Sequence, residues 1–365
     1  MIIFAKLMKK FVLPIVLVLI YASSAFAQYD RDVFMWRGRQ ALADGKYAQS
    51  IEHFNILTQL DTTDYWSFFF RGIAKYNLGD IRGADTDFNT AVRLNPVFTN
   101  GYHYRAITES RMGEYDKAFA DFNKALELRP GQLGIYFSRG VTSFLAQKFE
   151  DAVEDFDRYI KKEPKDPGAF LNRGACYLFL ADTTKALTDY NRAIRLDRYD
   201  PEGYIRRANV YTQQKRFEDA IKDLDMAIEL DSTNTLAFFN RAILNYESKK
   251  YNDAMSDLNT VLRYEPGNAL TLYNRSLIYS LVGDHESALE DMDRVININP
   301  GNVLAHFNRA SIFIELGLYE NALEDYDKAI EYYSEVIEID KNHVPVEFDS
   351  LFIFKECSIV YFCFY

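Results

Sequence analysis

The stretch that decides the fold is FLNRGACY, residues 170–177, in which Arg173 stands within an otherwise apolar or small-residue run. A buried guanidinium is costly unless it is paired, so the first question is whether Arg173 stands alone. It does not, because the same short phrase recurs nine times at intervals of thirty-four residues. The nine arginines are Arg37, Arg71, Arg105, Arg139, Arg173, Arg207, Arg241, Arg275 and Arg309.

Other positions keep the same period. A small residue follows each arginine, a second small residue comes twelve positions later, and a bulky apolar residue lies four positions beyond that; in the fifth unit these are Gly174, Ala186 and Tyr190. Several units close on a proline, such as Pro164. Within each half of a unit, the apolar and small positions recur at spacings of three and four, which is typical of one face of a helix. Each unit is therefore predicted to be a pair of closely packed helices.

With small, small, aromatic, Ala and Pro at these offsets, the unit resembles the tetratricopeptide repeat, and the resemblance covers about residues 31 to 333. It implies an all-α fold, a right-handed superhelical solenoid of about nine 34-residue helix-turn-helix repeats with a concave groove. Periodicity alone predicts only a helical solenoid. The predicted solenoid domain spans residues 28–343, with repeats that start near residues 31, 65, 99, 133, 167, 201, 235, 269 and 303.

The sequence departs from the commonest form of that family at two positions in each unit. Arginine replaces the usual leucine of the first helix, and an acid replaces an aromatic residue of the second helix in every unit except the first, which has His53. Because the two changes occur together, we interpret them as partners that fix stacking register, each arginine meeting an aspartate of its own hairpin or of the adjacent one. A cationic stripe that grips an acidic ligand is the alternative, and it is disfavoured because the aspartates would neutralise it. The predicted ladder consists of Arg71, Asp87, Arg105, Asp121, Arg139, Asp155, Arg173, Asp189, Arg207, Asp223, Arg241, Asp257, Arg275, Asp291, Arg309 and Asp325.

The resemblance also implies where a ligand binds. In the family, the groove is lined by the second, fifth, ninth, twelfth and thirteenth residues of each unit, counting the arginine as the seventh. The fifth and ninth positions of this chain are mostly apolar and rich in aromatics, which suits an extended segment or a helix of another protein. The alternative for each side chain is that it packs mainly against the next hairpin. The predicted groove residues are Phe69, Ile73, Phe137, Val141, Phe239, Ile243, Tyr273, Leu277 and Phe307.

Some members of the family clamp a C-terminal carboxylate with lysine, asparagine and arginine side chains at fixed positions. Asn209 and Asn240 match two of those positions, but Ile205, Leu270 and Asn274 occupy the others. The clamp is therefore incomplete, which disfavours an adaptor for chaperone tails.

The first residues are typical of a secretory signal. Residues 8–27 have a charged start, an apolar middle and a small-x-small site at residues 25–27. We therefore expect residues 1–27 to be a signal peptide, Gln28 to be the mature N-terminus, and the protein to be exported, either periplasmic, envelope-associated or secreted. An uncleaved anchor helix is the alternative, although the apolar run is shorter than the ~20 residues that span a bilayer. No other segment is long and apolar enough to cross a membrane.

Composition and motifs argue against several function classes. The formal net charge of -11 disfavours nucleic acid as a partner. The five histidines are scattered, and the sequence contains no HExxH, GxSxG or GxxxxGK[ST] motif, so we expect no enzymatic activity, no cofactor and no metal site. Three cysteines, Cys176, Cys357 and Cys363, form no regular disulfide framework, so a packed core must stabilise the chain.

The pattern fails at the C-terminal end. Residues 344–365 have neither the arginine nor the small residue of a tenth repeat and end in aromatic residues. We interpret them as an irregular hydrophobic tail from a truncated or frame-shifted end, with a strand-like segment that needs a partner as the alternative.

Together these features predict a non-enzymatic scaffold or adaptor of the cell envelope that binds a segment of another protein in its groove. A glycan- or peptidoglycan-binding envelope protein is one alternative, but the groove offers few polar side chains for sugar hydroxyls. A cytosolic adaptor is the other, if the first residues are not a signal.

Overall fold

The computed structural model describes residues 31–339, and in this range all regular structure is helical, with eighteen α-helices and no strand. Consecutive helices form nine hairpins, in which the first helix is called helix A and the second helix B. The predicted all-α repeat solenoid is confirmed. The predicted signal peptide (residues 1–27) and hydrophobic tail (residues 344–365) lie outside the described residues.

The hairpins follow one another along the chain without insertions. They are α1 (Arg31–Ala43) with α2 (Tyr47–Leu60), α3 (Tyr65–Leu78) with α4 (Ile81–Leu94), α5 (Thr99–Arg111) with α6 (Tyr115–Leu128), α7 (Leu133–Leu145) with α8 (Phe149–Ile160), α9 (Pro167–Phe179) with α10 (Thr183–Leu196), α11 (Pro201–Gln213) with α12 (Phe217–Leu230), α13 (Thr235–Glu247) with α14 (Tyr251–Tyr264), α15 (Ala269–Leu281) with α16 (His285–Ile298), and α17 (Val303–Glu315) with α18 (Tyr319–Ile339).

The described chain divides into two compact units between Pro164 and Lys165, in the loop after α8. Residues 31–164 contain hairpins 1 to 4, and residues 165–339 contain hairpins 5 to 9. Each unit is described separately below.

Helix boundaries follow local sequence signals. Side chains at the N-caps accept backbone hydrogen bonds, as Asp80 Oδ1 does from Gly83 N at 2.9 Å and Asn268 Oδ1 from Thr271 N at 2.9 Å. Prolines lie just beyond several helix B ends; Pro300, for example, comes two residues after α16. A proline there cannot continue the helix, so the chain turns toward the next helix A.

The turn from helix A to helix B puts one residue of each hairpin in the left-handed region, again every thirty-four residues. Five hairpins have glycine there, with φ between 72° and 90°, but hairpins 4 to 7 have Gln147, Ala181, Lys215 and Lys249, with φ of 58° to 60°. This conformation costs a residue with a Cβ roughly 1 kcal/mol. Packing of the two helices therefore sets the turn, and the local residue adapts to it.

Close contact between helix A and helix B explains the small residues. A methyl group on Gly72 would lie 2.7 Å from the Phe88 ring, and one on Gly174 would lie 2.6 Å from the Tyr190 ring. These distances are too short for a Cβ, so glycine lets the ring lie directly on the helix backbone. The bulky helix B position that the period predicts is almost fully buried from the first hairpin to the eighth, at Phe54, Phe88, Phe122, Phe156, Tyr190, Leu224, Leu258 and Met292.

Candidate functional site

The structure pairs the ladder arginines with aspartates of their own hairpins. In hairpins 2 to 9, the arginine Nε donates to aspartate Oδ2 at 2.5–2.9 Å and Nη2 donates to Oδ1 at 2.6–2.7 Å. This two-bond geometry matches the planar guanidinium to the carboxylate. The aspartate side chains are at most 10% exposed. The pairs are Arg71–Asp87, Arg105–Asp121, Arg139–Asp155, Arg173–Asp189, Arg207–Asp223, Arg241–Asp257, Arg275–Asp291 and Arg309–Asp325.

The third guanidinium nitrogen contacts the preceding hairpin, through acceptor residues that the sequence interpretation did not name. Nη1 donates to an asparagine or aspartate two residues after the ladder position on the preceding helix B. Each such arginine therefore joins two hairpins as well as the two helices of its own. The signal was visible as Asp-x-Asn or Asp-x-Asp in helix B. The acceptors are Asn55, Asn89, Asn123, Asn191, Asp225, Asn259 and Asp293, at 2.6–2.9 Å.

An aromatic ring three residues earlier covers one face of several of these guanidinium groups. The arginine Cζ lies 5.3–5.8 Å from the ring centroid, which is within the range of a cation–π contact. Hydrogen bonds and rings thus occupy most of each guanidinium, so the ladder offers a ligand little free donor capacity. The rings belong to Phe68, Tyr102, Tyr136, Phe170, Tyr204 and Phe238.

The predicted groove positions lie on the opposite side of helix A from the ladder. Positions five and nine are each two residues from the arginine, and two residues correspond to about 200° around a helix. Neighbouring A helices adjoin on this side, as the 2.9 Å hydrogen bond between His103 Nε2 on α5 and Ser138 Oγ on α7 shows. Burial lowers the pKa of His103 to about 4, so its ring is neutral at physiological pH.

In residues 31–164, only part of the predicted groove is open. Phe69 is 3% exposed, with its ring 4.9 Å from Phe98 and 5.3 Å from Tyr104, so it belongs to the core and offers no surface to a partner. The Phe137 ring is half-buried and packs 5.1 Å from Tyr159. The half-buried residues of the predicted groove in this unit are Ile73, Phe137 and Val141.

In residues 165–339, one predicted groove residue, Phe307, is exposed. Tyr273, by contrast, is 7% exposed, its hydroxyl accepts a hydrogen bond from the Asn308 amide, and burial raises its pKa to about 12. Phe307 is 46% exposed and lies 5.4 Å from the Tyr326 ring. The half-buried members in this unit are Phe239, Ile243 and Leu277.

Two exposed apolar residues extend this surface beyond the predicted positions. Leu281 at the end of α15 is 55% exposed and Ile314 on α17 is 41% exposed. They occupy the thirteenth and twelfth positions of their repeats, which the family surface includes but which the residue prediction did not select. We call the combined set the helix-A surface of residues 235–315, consisting of Phe239, Ile243, Leu277, Leu281, Phe307 and Ile314.

The described residues contain no group of three histidine, cysteine or acidic side chains placed to hold a metal ion. Cys176 is buried, and burial raises the pKa of its thiol to about 12. Between residues 31 and 339, none of the helices combines the length and the apolar character of a membrane span.

Family comparison fits this geometry. Models described as tetratricopeptide repeat match residues 102–132, 144–201, 201–234 and 267–342, which together make up more than half of the chain. The chain belongs to the tetratricopeptide repeat (TPR) family. The family resemblance seen in the sequence is confirmed.

Solved structures agree with the TPR fold. The crystal structure of a tetratricopeptide repeat protein from Parabacteroides merdae aligns with a TM-score of 0.54 and 17% identity, covering 72% of this chain and 100% of that one. A chain of the crystal structure of the APC/C hetero-tetramer Cut9–Hcn1 aligns with a TM-score of 0.51 and 12% identity, covering 81% of this chain and 57% of that one. At these identities the similarity concerns the fold alone. Among curated proteins, none matches the sequence.

Proposed function

We propose that this TPR protein is a non-enzymatic scaffold or adaptor of the cell envelope that binds a segment of a partner protein on the helix-A surface. Its family and fold support a protein–protein interaction scaffold. The observation that carries the finer proposal is the exposure of Leu281, Phe307 and Ile314 on adjoining A helices. Isolated exposed apolar residues are ordinary, but a row of them beside the half-buried apolar side chains Phe239, Ile243 and Leu277 suits the apolar anchors of a partner.

The opposite side of helix A supports the same assignment. There the guanidinium groups are held by aspartates and by asparagines of the preceding helix B, as in Arg275 with Asp291 and Asn259. An acidic partner would have to displace bonds that already exist, whereas an apolar segment on the helix-A surface would displace only water. Binding through apolar anchors is therefore the mode that costs the least reorganisation.

A capture experiment with matched variants tests the binding surface. The full-length chain is immobilised and exposed to envelope extract of its host, beside a Leu281→Ser/Ile314→Ser variant and a Met226→Ser control. Met226 is an exposed apolar residue on α12, a B helix, at 38% exposure. We expect the double variant to lose proteins that both the wild type and the control retain. Equal capture by all three chains would contradict the proposed surface.

Export is the second part of the proposal, and it rests on residues 1–27. N-terminal sequencing of the protein recovered from the envelope fraction tests it, because cleavage by a signal peptidase would leave a chain that begins at Gln28. A chain that keeps residues 1–27 and fractionates with the cytosol would instead support the cytosolic adaptor.

A further inference from the structure

Successive hairpins stack through a polar contact that repeats along the described chain. The seventh residue of a hairpin, the ladder arginine, donates through Nη1 to the twenty-fifth residue of the preceding hairpin. Two of these contacts join full charges: Arg241 Nη1 to Asp225 Oδ1, and Arg309 Nη1 to Asp293 Oδ1, both at 2.6 Å.

Two apolar contacts accompany it. In hairpins 2 and 3 the sixth residue is aromatic and packs on the twenty-fourth residue of the preceding hairpin: the Phe70 ring stacks on Phe54 with centroids 5.7 Å apart and planes at 18°, and the Tyr104 ring lies 6.0 Å from Phe88. From hairpin 4 to hairpin 9 the sixth residue is polar. The third residue meets the twenty-eighth, since a methyl group on Gly203 would lie 2.9 Å from Ile194 Cγ1. Fully buried Ile135 occupies a third position, so a large apolar side chain also fits there.

In the first described hairpin, the residues that would contact a preceding hairpin face solvent. Its third and sixth residues, Val33 and Trp36, are 38% and 65% exposed. Arg37, the seventh residue, is exposed and borders an open recess of about 320 Å³ with Trp36 and His53. His53 replaces the ladder aspartate, and no acidic side chain of residues 31–339 forms an ion pair with Arg37. Among the described residues, Arg37 therefore lacks the aspartate that pairs each ladder arginine of hairpins 2 to 9. Trp36 lacks the aromatic partner that Phe70 and Tyr104 have at the same position.

The last described hairpin carries the other side of this interface, the residues that would contact a following hairpin. Its twenty-fourth, twenty-fifth and twenty-eighth residues are Tyr326, which is half-buried, Asp327, which is exposed, and Ile330, which is 64% exposed. α18 remains helical through residues 333–336, the positions that correspond to the loop at residues 299–302 after α16. Within the described residues, the chain therefore does not fold back to cover this face with a tenth helix A.

We propose that the last hairpin of one molecule binds the first hairpin of a second copy of this chain, head to tail. The contact repeats the internal stacking, with Trp36 on Tyr326, Val33 on Ile330, and Arg37 paired with Asp327 of the other copy. The two faces are complementary in charge, because among residues 31–339 no carboxylate pairs with Arg37 and no guanidinium pairs with Asp327. The interface is heterologous, so additional copies add head to tail, either as a closed ring or as an open filament.

Sedimentation velocity of the full-length chain over a wide range of concentrations tests this proposal. We expect the wild type to form dimers and longer species as concentration rises. Arg37→Glu or Asp327→Arg places like charges in contact and should weaken association by ~10-fold or more. Neither side chain forms a hydrogen bond or an ion pair within residues 31–339, so circular dichroism should show both variants folded. Glu229→Arg, on the exposed side of α12, is the matched control and should associate like the wild type.

Mixing the two variants gives the decisive measurement. In an equimolar mixture, every interface between the two different variants joins either Arg37 with Asp327 or Glu at 37 with Arg at 327, so association should be restored through alternating copies. A chain that stays monomeric at every concentration would overturn the proposal. So would association that neither substitution weakens, or association that mixing does not restore.

Discussion

Glu109 lies beside the ladder, and one of its carboxyl oxygens has no hydrogen-bond partner among the described residues. It lies on α5 at 7% exposure, with Oε1 3.9 Å from Arg105 Nε, while the unpartnered Oε2 is buried. Arg105 Nε already donates to Asp121 Oδ2 at 2.5 Å. Burial, followed by the charge of Asp121, raises the pKa of Glu109 to about 7.

This pKa predicts how stability depends on pH. Because Glu109 keeps its proton up to about pH 7 when folded but releases it near pH 4.5 when unfolded, the folded state binds more protons between these values. Its contribution to the free energy of unfolding therefore falls as pH rises from 4.5 to 7. Glu109→Gln is neutral at every pH and removes that fall. We expect urea denaturation to show a stability gain at pH 8 that exceeds any gain at pH 4 by up to about 3 kcal/mol.

The same comparison controls for other titrating groups. Burial lowers the pKa of His103 to about 4 from an unfolded value of 6.5, so its contribution to the free energy of unfolding falls as the pH drops below 6.5. This contribution is the same in the wild type and in Glu109→Gln, so it cancels in the difference between them. An equal effect of Glu109→Gln at both pH values would contradict this prediction, because it would show that the carboxyl has the same pKa in the folded and the unfolded protein.

At the residue scale, the sequence was least informative about which single side chains are buried. Phe69, Phe137 and Phe307 occupy the same position of their repeats, yet they are buried, half-buried and exposed. Phe98, in the loop before the next hairpin, and Tyr104 of that hairpin cover Phe69, whereas Phe307 lies in the last described hairpin. The period predicts which face of its helix a side chain lies on. Whether that side chain is buried depends on the neighbouring hairpin.

Within one hairpin, the ladder pair joins helix A to helix B. Asp189 accepts from Arg173 Nε at 2.8 Å and from Nη2 at 2.6 Å. Asp189→Ala leaves a largely buried guanidinium without this carboxylate, so we expect the free energy of unfolding to fall by about 3–5 kcal/mol. Thermal and urea denaturation measure this loss. Capture on the helix-A surface should persist wherever the variant is folded, because that surface lies on the other side of helix A.

Two further variants separate pairing from simple loss of contacts. Asn191→Ala removes one hydrogen bond, from Arg207 Nη1, and should cost about 1 kcal/mol. Arg173→Met/Asp189→Leu replaces both charges with apolar groups and should be close to the wild type in stability. If Asp189→Ala melts like the wild type but fails to capture its partner, the ladder is a binding device and its structural interpretation is wrong.

At the element scale, the thirty-four-residue period was sufficient to place helices, because every unit repeats the same small and bulky positions. It was not sufficient for the turns, since Ala181 and Lys215 adopt a left-handed conformation that neither residue favours. It also did not assign a role to Asn89, whose acceptor function needs the next hairpin in place. Contacts within one hairpin were thus more predictable than contacts between hairpins.

For the whole molecule, these contacts imply that stability is local. Arg275 joins hairpin 8 to Asn259 of hairpin 7, and Arg309 joins hairpin 9 to Asp293 of hairpin 8. A solenoid whose repeats contact only their neighbours has stability that is roughly a sum of repeat and nearest-neighbour terms. Loss of one Arg–Asp pair of the ladder should therefore destabilise the adjoining hairpins and leave distant ones unchanged.

Hydrogen exchange on Asp291→Ala tests this at full chain length. Asp291 holds Arg275 within hairpin 8, so its loss should speed amide exchange in residues 235–339 and leave hairpin 5, residues 167–196, at the wild-type rate. Glu290→Gln, at the exposed neighbouring position of α16, should change neither region. Mass spectrometry of peptides from residues 165–339 resolves the two regions. A uniform rise in exchange rate across all of these peptides would mean that hairpins 5 to 9 unfold as one cooperative block. The Arg–Asp pairs would then stabilise the whole unit and not only the neighbouring hairpins.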